Sequence, residues 1–123
     1  MLIWIGEQLF ISHLKKNMID KPNMNYIEKL ADGDKEFEQQ FITILKEEFP
    51  KEKEVYLKSI TANDFEGAWE IVHKLKHKFN ILGMENAYIL SVKFEDELKK
   101  NNMHRNIEFI QVLDIMGTYI KKI

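Results

Sequence analysis

One short segment of this chain crowds together side chains that can carry charge or accept a chemical group. Between Val72 and Phe79 stand two histidines and three lysines, with no acidic residue among them. Lys74 and Lys78 flank a stripe of four polar residues. On a helix these four lie on one face, because they are spaced at i, i+3, i+4 and i+7: His73, Lys76, His77 and Asn80.

These residue types suit phosphoryl chemistry. A neutral histidine ring nitrogen is nucleophilic near neutral pH and can accept a phosphoryl group. A lysine one turn along the helix offsets the charge of that group, and a lysine-rich surface attracts a partner with an acidic pocket. The segment is therefore a candidate site for accepting a phosphoryl group and for docking an acidic partner.

Each of these residues also has a simpler interpretation. Histidines and lysines on a helix are often only solvated surface groups, and this applies to His73, Lys76 and His77. Histidines at i and i+4 can bind a metal, but no Glu follows His73 as in zinc proteases and no third ligand is signalled. We therefore predict no metal site. Trp69, one turn before His73, is either a ring folded over the edge of the fold or an apolar docking contact.

The composition excludes several classes of protein. The 123 residues make one domain, and 45% hydrophobic and 31% charged residues are ordinary for a globular protein. A net charge of −2 argues against a nucleic-acid-binding domain, which is normally strongly basic. The absence of cysteine excludes disulfide scaffolds, cysteine-based zinc sites and thiol nucleophiles, and it is compatible with a cytoplasmic protein.

The elements that must position the site are predicted to be helices. Only 5 Gly and 2 Pro occur, and long segments repeat apolar residues at steps of three and four, which predicts an all-α fold. We expect a short helix at about 26–31, then a long helix that Asp34 caps and Pro50 kinks or restarts. Helices follow the site helix at about 85–99 and from about 107 onward. Short connections predict antiparallel neighbours.

The site helix itself carries the most regular core-facing seam. Asn63 or Asp64 is expected to cap it and Gly83 to end it. Its buried seam is predicted to be Phe65, Ala68, Val72, Leu75, Phe79 and Leu82. On the other helices we expect apolar faces formed by Phe37, Phe41, Ile44, Leu45, Phe49, Val55, Tyr56, Ile60, Tyr88, Ile89, Val92, Phe94, Ile107, Ile110, Val112, Leu113, Met116 and Ile120.

Residues 1–23 are interpreted as an N-terminal extension, with a helix followed by a polar linker that holds Pro22. The apolar run at its start is interrupted by Glu7, is too short to span a bilayer and lacks a signal-peptide cleavage site. Three interpretations stay open for it: an extra helix on the core, a helix for self-association or partner binding, and a membrane-surface helix. The chain is otherwise expected to be a monomer without a membrane span, and the extension is the candidate for a dimer contact.

The segment VHKLKHKFNILGM resembles the signature of histidine-containing phosphotransfer (HPt) domains. That family carries a phospho-acceptor histidine, then an apolar residue two later, a lysine three later and a glycine ten later. Here these positions hold His73, Leu75, Lys76 and Gly83. Upstream, LADGDKEFEQQFITILKEEFPKE is similar to the opening helix of the family, and FEDELKK, with Glu95, is similar to its post-motif helix. The resemblance covers residues 24–123.

The resemblance implies an antiparallel four-helix bundle that carries phosphoryl groups between receiver domains of two-component signalling. His73 would accept the phosphoryl group from a receiver aspartate, and Lys76 would stabilise it. The residues Lys74, His77, Lys78, Asn80 and Trp69 would face the partner. The partner, a receiver domain or hybrid sensor kinase, would supply the Mg²⁺. The carrier itself needs no cofactor and no ATP site, and this chain has no Gly-rich phosphate loop.

One position departs from the family pattern. Most members have Gly four residues after the acceptor, where this chain has His77, which either narrows access to His73 or donates to a phosphoryl oxygen. A phosphorylation-independent adaptor that docks receiver or kinase domains is therefore the alternative function. A kinase dimerisation domain is disfavoured, because Lys74 replaces the acidic residue that usually follows the phospho-histidine there.

Overall fold

A computed structural model of the chain describes residues 20–123, and every regular element in that range is a helix. The predicted all-α fold is confirmed, whereas the predicted helix of the extension lies in residues 1–19, outside the described range. The five helices are α1 Asn25–Ala31, α2 Lys35–Thr61, α3 Phe65–Ile81, α4 Glu85–Lys99 and α5 Asn106–Lys122. Contacts between α2 and α3, α3 and α4, and α2 and α5 make α2 to α5 a helical bundle with antiparallel neighbours.

Two aspartates begin the central helices as the sequence predicts. The side chain of Asp34 accepts a hydrogen bond from the backbone N–H of Phe37, and Asp64 does the same for Gly67. Each bond satisfies a donor that the first turn of a helix leaves without a partner. Of the two predicted caps for α3, Asp64 is therefore the observed one. Asn63, with φ of 54°, forms the left-handed step between α2 and α3.

Proline does not divide the long helix. α2 is one helix of 27 residues with Pro50 inside it, so of the two predicted outcomes, a kink or a restart, the restart is wrong. Pro50 is exposed. Pro50 has no N–H to donate to the carbonyl of Lys46, and Lys46 is exposed as well, so water can replace the missing donor. The helical hydrogen bonds on either side maintain α2.

The core is built around four aromatic rings from four helices. Phe109 of α5 lies 4.8 Å from Tyr56, 5.3 Å from Phe94 and 5.8 Å from Phe79, measured between ring centroids. All four side chains are fully buried. Aromatic pairs at these separations stabilise beyond the burial of area alone. This cluster fixes how α3 and α4, which carry the site, lie against α2 and α5.

Most residues predicted to face the core are buried or partly buried, but the predicted apolar faces also include residues that are exposed. In α3 the seam is buried as expected except at Phe65, which is only partly covered. Elsewhere five apolar residues assigned to the core are largely exposed, namely Ile44, Val55, Ile89, Val92 and Ile107. Ile42, Ala87 and Ser91 are buried in their place on α2 and α4. A helix with apolar residues on more than half its circumference does not identify its own buried face, because the neighbouring helices select it.

The end of the predicted linker is part of the bundle. Asp20 accepts hydrogen bonds from the backbone N–H of Ala87 and the side chain of Asn86, and so caps α4 from outside its own sequence. The backbone N–H of Asn23 donates to the carbonyl of Leu82. Gly83 allows this approach, because its φ is +73° and a Cβ there would lie 2.5 Å from the Asn23 side chain.

Replacing Asp20 by alanine should lower the free energy of unfolding by about 1 kcal/mol, since α4 has no cap from its own N-cap residue, Met84. Urea unfolding followed by circular dichroism measures the change. Lys21→Ala is the matched control, because that neighbouring side chain is exposed, and its effect should be within about 0.5 kcal/mol. An Asp20→Ala protein as stable as Lys21→Ala would show that this cap contributes nothing.

Candidate functional site

His73 lies on the part of α3 that faces solvent next to α4. Its neighbours Val72 and Leu75 are fully buried, so the seam fixes the rotation of α3 and turns His73 outward. The His73 side chain is 51% exposed. Its Nδ1 atom lies 2.8 Å from Oε1 of Glu95 on α4. The ring is therefore accessible to a partner and yet held by a neighbouring helix.

Glu95 is the buried centre of the site. Its side chain is only 9% exposed, because its neighbours Phe94 and Leu98 anchor α4 in the core. One carboxylate oxygen contacts His73, and the other accepts a hydrogen bond from Nζ of Lys76 at 2.9 Å. One carboxylate thus joins the two residues that the sequence assigns to acceptance and stabilisation of the phosphoryl group.

The hydrogen bond to Glu95 determines which nitrogen of the His73 ring carries the proton. An ionised carboxylate accepts hydrogen bonds and donates none, so Nδ1 of His73 must carry the proton. In the neutral ring Nε2 is then the nitrogen with the free electron pair, on the side of the ring away from Glu95. Burial acts to raise the pKa of Glu95, but the hydrogen bonds from Lys76 and His73 and the positive charge of Lys76 outweigh it and hold this pKa below its usual value. Glu95 is therefore ionised at neutral pH.

The three lysines of the segment have different environments. Lys76 is 13% exposed and bound to Glu95, whereas Lys74 is exposed. Lys78 is buried on another side of α3, where its ammonium group binds Glu48 at 2.9 Å and Glu52 at 2.8 Å, both on α2. Burial lowers the pKa of Lys78, but the two glutamates outweigh this and raise it overall. The predicted partner-facing set thus loses Lys78 to the contact between α2 and α3, which is a correction to the sequence analysis.

The remaining predicted residues surround His73 at the surface. The His77 ring stands edge-on to the His73 ring, with centroids 5.3 Å apart, and both rings are exposed. Asn80 is exposed one turn further along α3, and Trp69 is partly buried one turn before. His77 therefore borders the ring of His73 without covering it.

Sequence reasoning did not assign two residues that the structure brings to His73. The sequence points to Glu95 only through the resemblance of FEDELKK, and it assigns no role to Lys99. The ammonium group of Lys99 lies 4.6 Å above the Trp69 ring and 4.0 Å from Glu95 Oε1. The sequence does indicate that Glu95 and Lys99 lie together, since their i, i+4 spacing places them on one face of α4. Their position opposite His73 depends on how α4 packs against α3.

Comparisons with protein families, with curated proteins and with solved structures found no match to this chain. Within residues 20–123 no three histidine, cysteine or acidic side chains gather in a way that could hold a metal ion. No helix in the same range is long and apolar enough to cross a membrane. The function therefore has to be inferred from the geometry of the site around His73.

The Glu95 network should make stability depend on pH. Because the pKa of Glu95 is lowered on folding, its stabilisation is complete above the unfolded pKa of about 4.3 and is lost as pH falls through the lower folded pKa. We expect wild type to lose more stability than Glu95→Gln between about pH 6 and pH 3. Urea unfolding at a series of pH values measures this, and equal losses in the two proteins would contradict it.

Proposed function

We propose that this protein is a histidine phosphotransfer domain, which accepts a phosphoryl group on His73 from a receiver aspartate and passes it to another receiver. One observation carries the proposal. The imidazole of His73 is half exposed, and its Nδ1 lies 2.8 Å from the carboxylate of the buried Glu95. An ionised carboxylate at this distance favours the proton on Nδ1 and so leaves Nε2 as the nucleophile. An unconstrained surface histidine has neither a fixed tautomer nor a fixed ring orientation.

The transfer step balances with the groups present. Nε2 of His73 attacks phosphorus of the partner's aspartyl phosphate in line, so that the N–P bond forms as the P–O bond to the aspartate breaks. The aspartate leaves as a carboxylate. The ring keeps its Nδ1 proton and becomes positively charged, and the anionic Glu95 stabilises that charge. No proton has to leave the site during the forward step, and transfer to a second receiver is the reverse reaction.

The partner supplies the rest of the chemistry. A receiver domain brings the aspartyl phosphate, a bound Mg²⁺ and an acidic pocket, and the exposed Lys74 favours approach of that pocket. His77, in direct ring contact with His73, is a second candidate to touch either the phosphoryl group or the partner. Receiver domains of this kind act in the cytoplasm, which is where this function would place the protein.

The test is a transfer screen against receiver domains that have been phosphorylated with a radiolabel. We expect label to move from at least one receiver to the wild-type protein, and the labelled product to be acid-labile and base-stable, as phosphohistidine is. His73→Gln should accept no label. His104→Gln is the matched control, because this other exposed histidine is far along the chain in the α4–α5 connection, and it should accept label normally.

Two results would overturn the proposal. Equal labelling of wild type and His73→Gln would mean that His73 is not the acceptor. Receivers that bind the protein tightly without transferring label would instead favour the adaptor, in which the same surface docks partners and His73 carries no phosphate.

A further inference from the structure

Lys76 alone does not provide enough positive charge near His73 to balance a phosphoryl group. Lys76 contributes one positive charge, but its ammonium group is bound directly to the carboxylate of Glu95. With His73 neutral, the pair has no net charge. A phosphoryl group on the ring brings a charge of nearly −2. Even with the positive charge that the ring gains on transfer, Glu95, Lys76, the ring and the phosphoryl group together stay negative, so a further cation close to the ring would stabilise the phosphorylated state.

Lys99 meets that requirement by position. Its ammonium group lies 4.0 Å from Glu95 Oε1, the same oxygen that contacts Nδ1 of His73. Its side chain is 50% exposed, so its charge is less satisfied by Glu95 than that of Lys76, which is 13% exposed. The three charges of Glu95, Lys76 and Lys99 sum to +1 beside the acceptor ring.

Trp69 explains why the Lys99 ammonium group stays there. A long lysine side chain on a surface helix normally samples many rotamers, and fixing it costs conformational entropy. The ammonium group lies 4.6 Å above the centroid of the indole ring, within the range of a cation–π contact. Trp69 precedes His73 by one turn on α3, so the ring that holds Lys99 and the ring that accepts phosphate share one face.

We propose that Lys99, held by Trp69 and Glu95, is a second phosphoryl-binding cation of this site, a role that depends on the proposed phosphotransfer at His73. Before transfer its ammonium group is in contact with the indole ring and the carboxylate. When His73 carries the phosphoryl group, the half-exposed side chain turns its charge toward the phosphoryl oxygens. Trp69 is then a positioning residue for Lys99 and not chiefly a docking anchor for the receiver.

The experiment phosphorylates His73 with phosphoramidate, a small donor, so that no receiver contact is involved. In this reaction the P–N bond of the donor breaks, ammonia leaves and the N–P bond to His73 forms. The phosphohistidine signal in ³¹P NMR then gives both the rate of formation and the half-life. Lys99→Gln should lower the rate about three- to tenfold, the effect expected for one nearby charge at a protein surface, and Trp69→Leu should have a similar effect. Lys99→Arg should restore the wild-type rate, because arginine keeps the charge and the cation–π contact.

Lys100→Gln is the matched control, since Lys100 directly follows Lys99 at the C-cap of α4 and its ammonium group pairs with Asp96 and not with Glu95. It should behave as wild type. If wild type is phosphorylated on His73 and Lys99→Gln reacts at the same rate, the role of Lys99 is refuted while the proposed function stands. If wild type gives no phosphohistidine with phosphoramidate or with any receiver, the proposed function itself fails.

Discussion

Replacing Glu95 by glutamine should slow phosphorylation of His73 about ten- to a hundredfold. Glutamine has nearly the same shape and can still accept a hydrogen bond from Nδ1, but it carries no charge. It therefore cannot stabilise the positive ring that forms during transfer, and its amide can turn and donate to Nδ1, which favours the unproductive tautomer. Loss of a partner that orients a histidine typically has an effect of this size. Time courses with phosphoramidate and with a cognate receiver measure it.

The control for this variant is Glu97→Gln on the same helix. Glu97 binds Arg105 at 2.7 Å in the connection between α4 and α5, and the variant should transfer at the wild-type rate. Urea unfolding of both variants separates a loss of fold from a loss of chemistry. A folded Glu95→Gln protein that accepts phosphate as fast as wild type would show that Glu95 does not activate His73.

Replacing Phe109 by alanine should lower the free energy of unfolding by about 3–5 kcal/mol. The Phe109 ring is fully buried and contacts the rings of Tyr56, Phe79 and Phe94. Truncation removes these contacts and leaves a cavity that three rigid rings, each held by a different helix, cannot readily fill. Urea unfolding followed by circular dichroism measures the change.

Ile107→Ala is the control, because this side chain on the same helix is 71% exposed, and its effect should be within about 0.5 kcal/mol. Phosphorylation of His73 in Phe109→Ala, measured well below its melting temperature, should stay close to wild type, since Phe109 does not touch the site. A loss of stability below about 1 kcal/mol would mean that the aromatic cluster is not the centre of the core.

How far the sequence predicts this protein depends on whether the information is local. The buried face of α3 can be predicted from the sequence, because Val72, Leu75 and Phe79 recur at helical spacing and occupy less than half of the helix circumference. The cap at Asp64 is readable for the same reason, since the side chain and its donor are three residues apart. From these two facts the outward direction of His73 follows.

Contacts between residues far apart in the chain could not be predicted from the sequence. Glu95 reaches His73 from 22 residues away, and Asp20 reaches the start of α4 from 67 residues before it. Lys76 and Lys78 look equivalent in a basic run, yet one binds Glu95 on α4 and the other binds Glu48 and Glu52 on α2. Which helix lies on which side of α3 decides their roles, and that is set by the assembled core.

The central claim is that Nε2 of His73 forms a bond to phosphorus when the protein meets a phosphorylated receiver. The most direct measurement is heteronuclear NMR of isotopically labelled wild-type protein after transfer, with phosphorus coupling traced to the individual nitrogens of His73. The account predicts coupling to Nε2, with Nδ1 still protonated beside Glu95. Phosphorus on Nδ1, on His77 or on any other residue would contradict it.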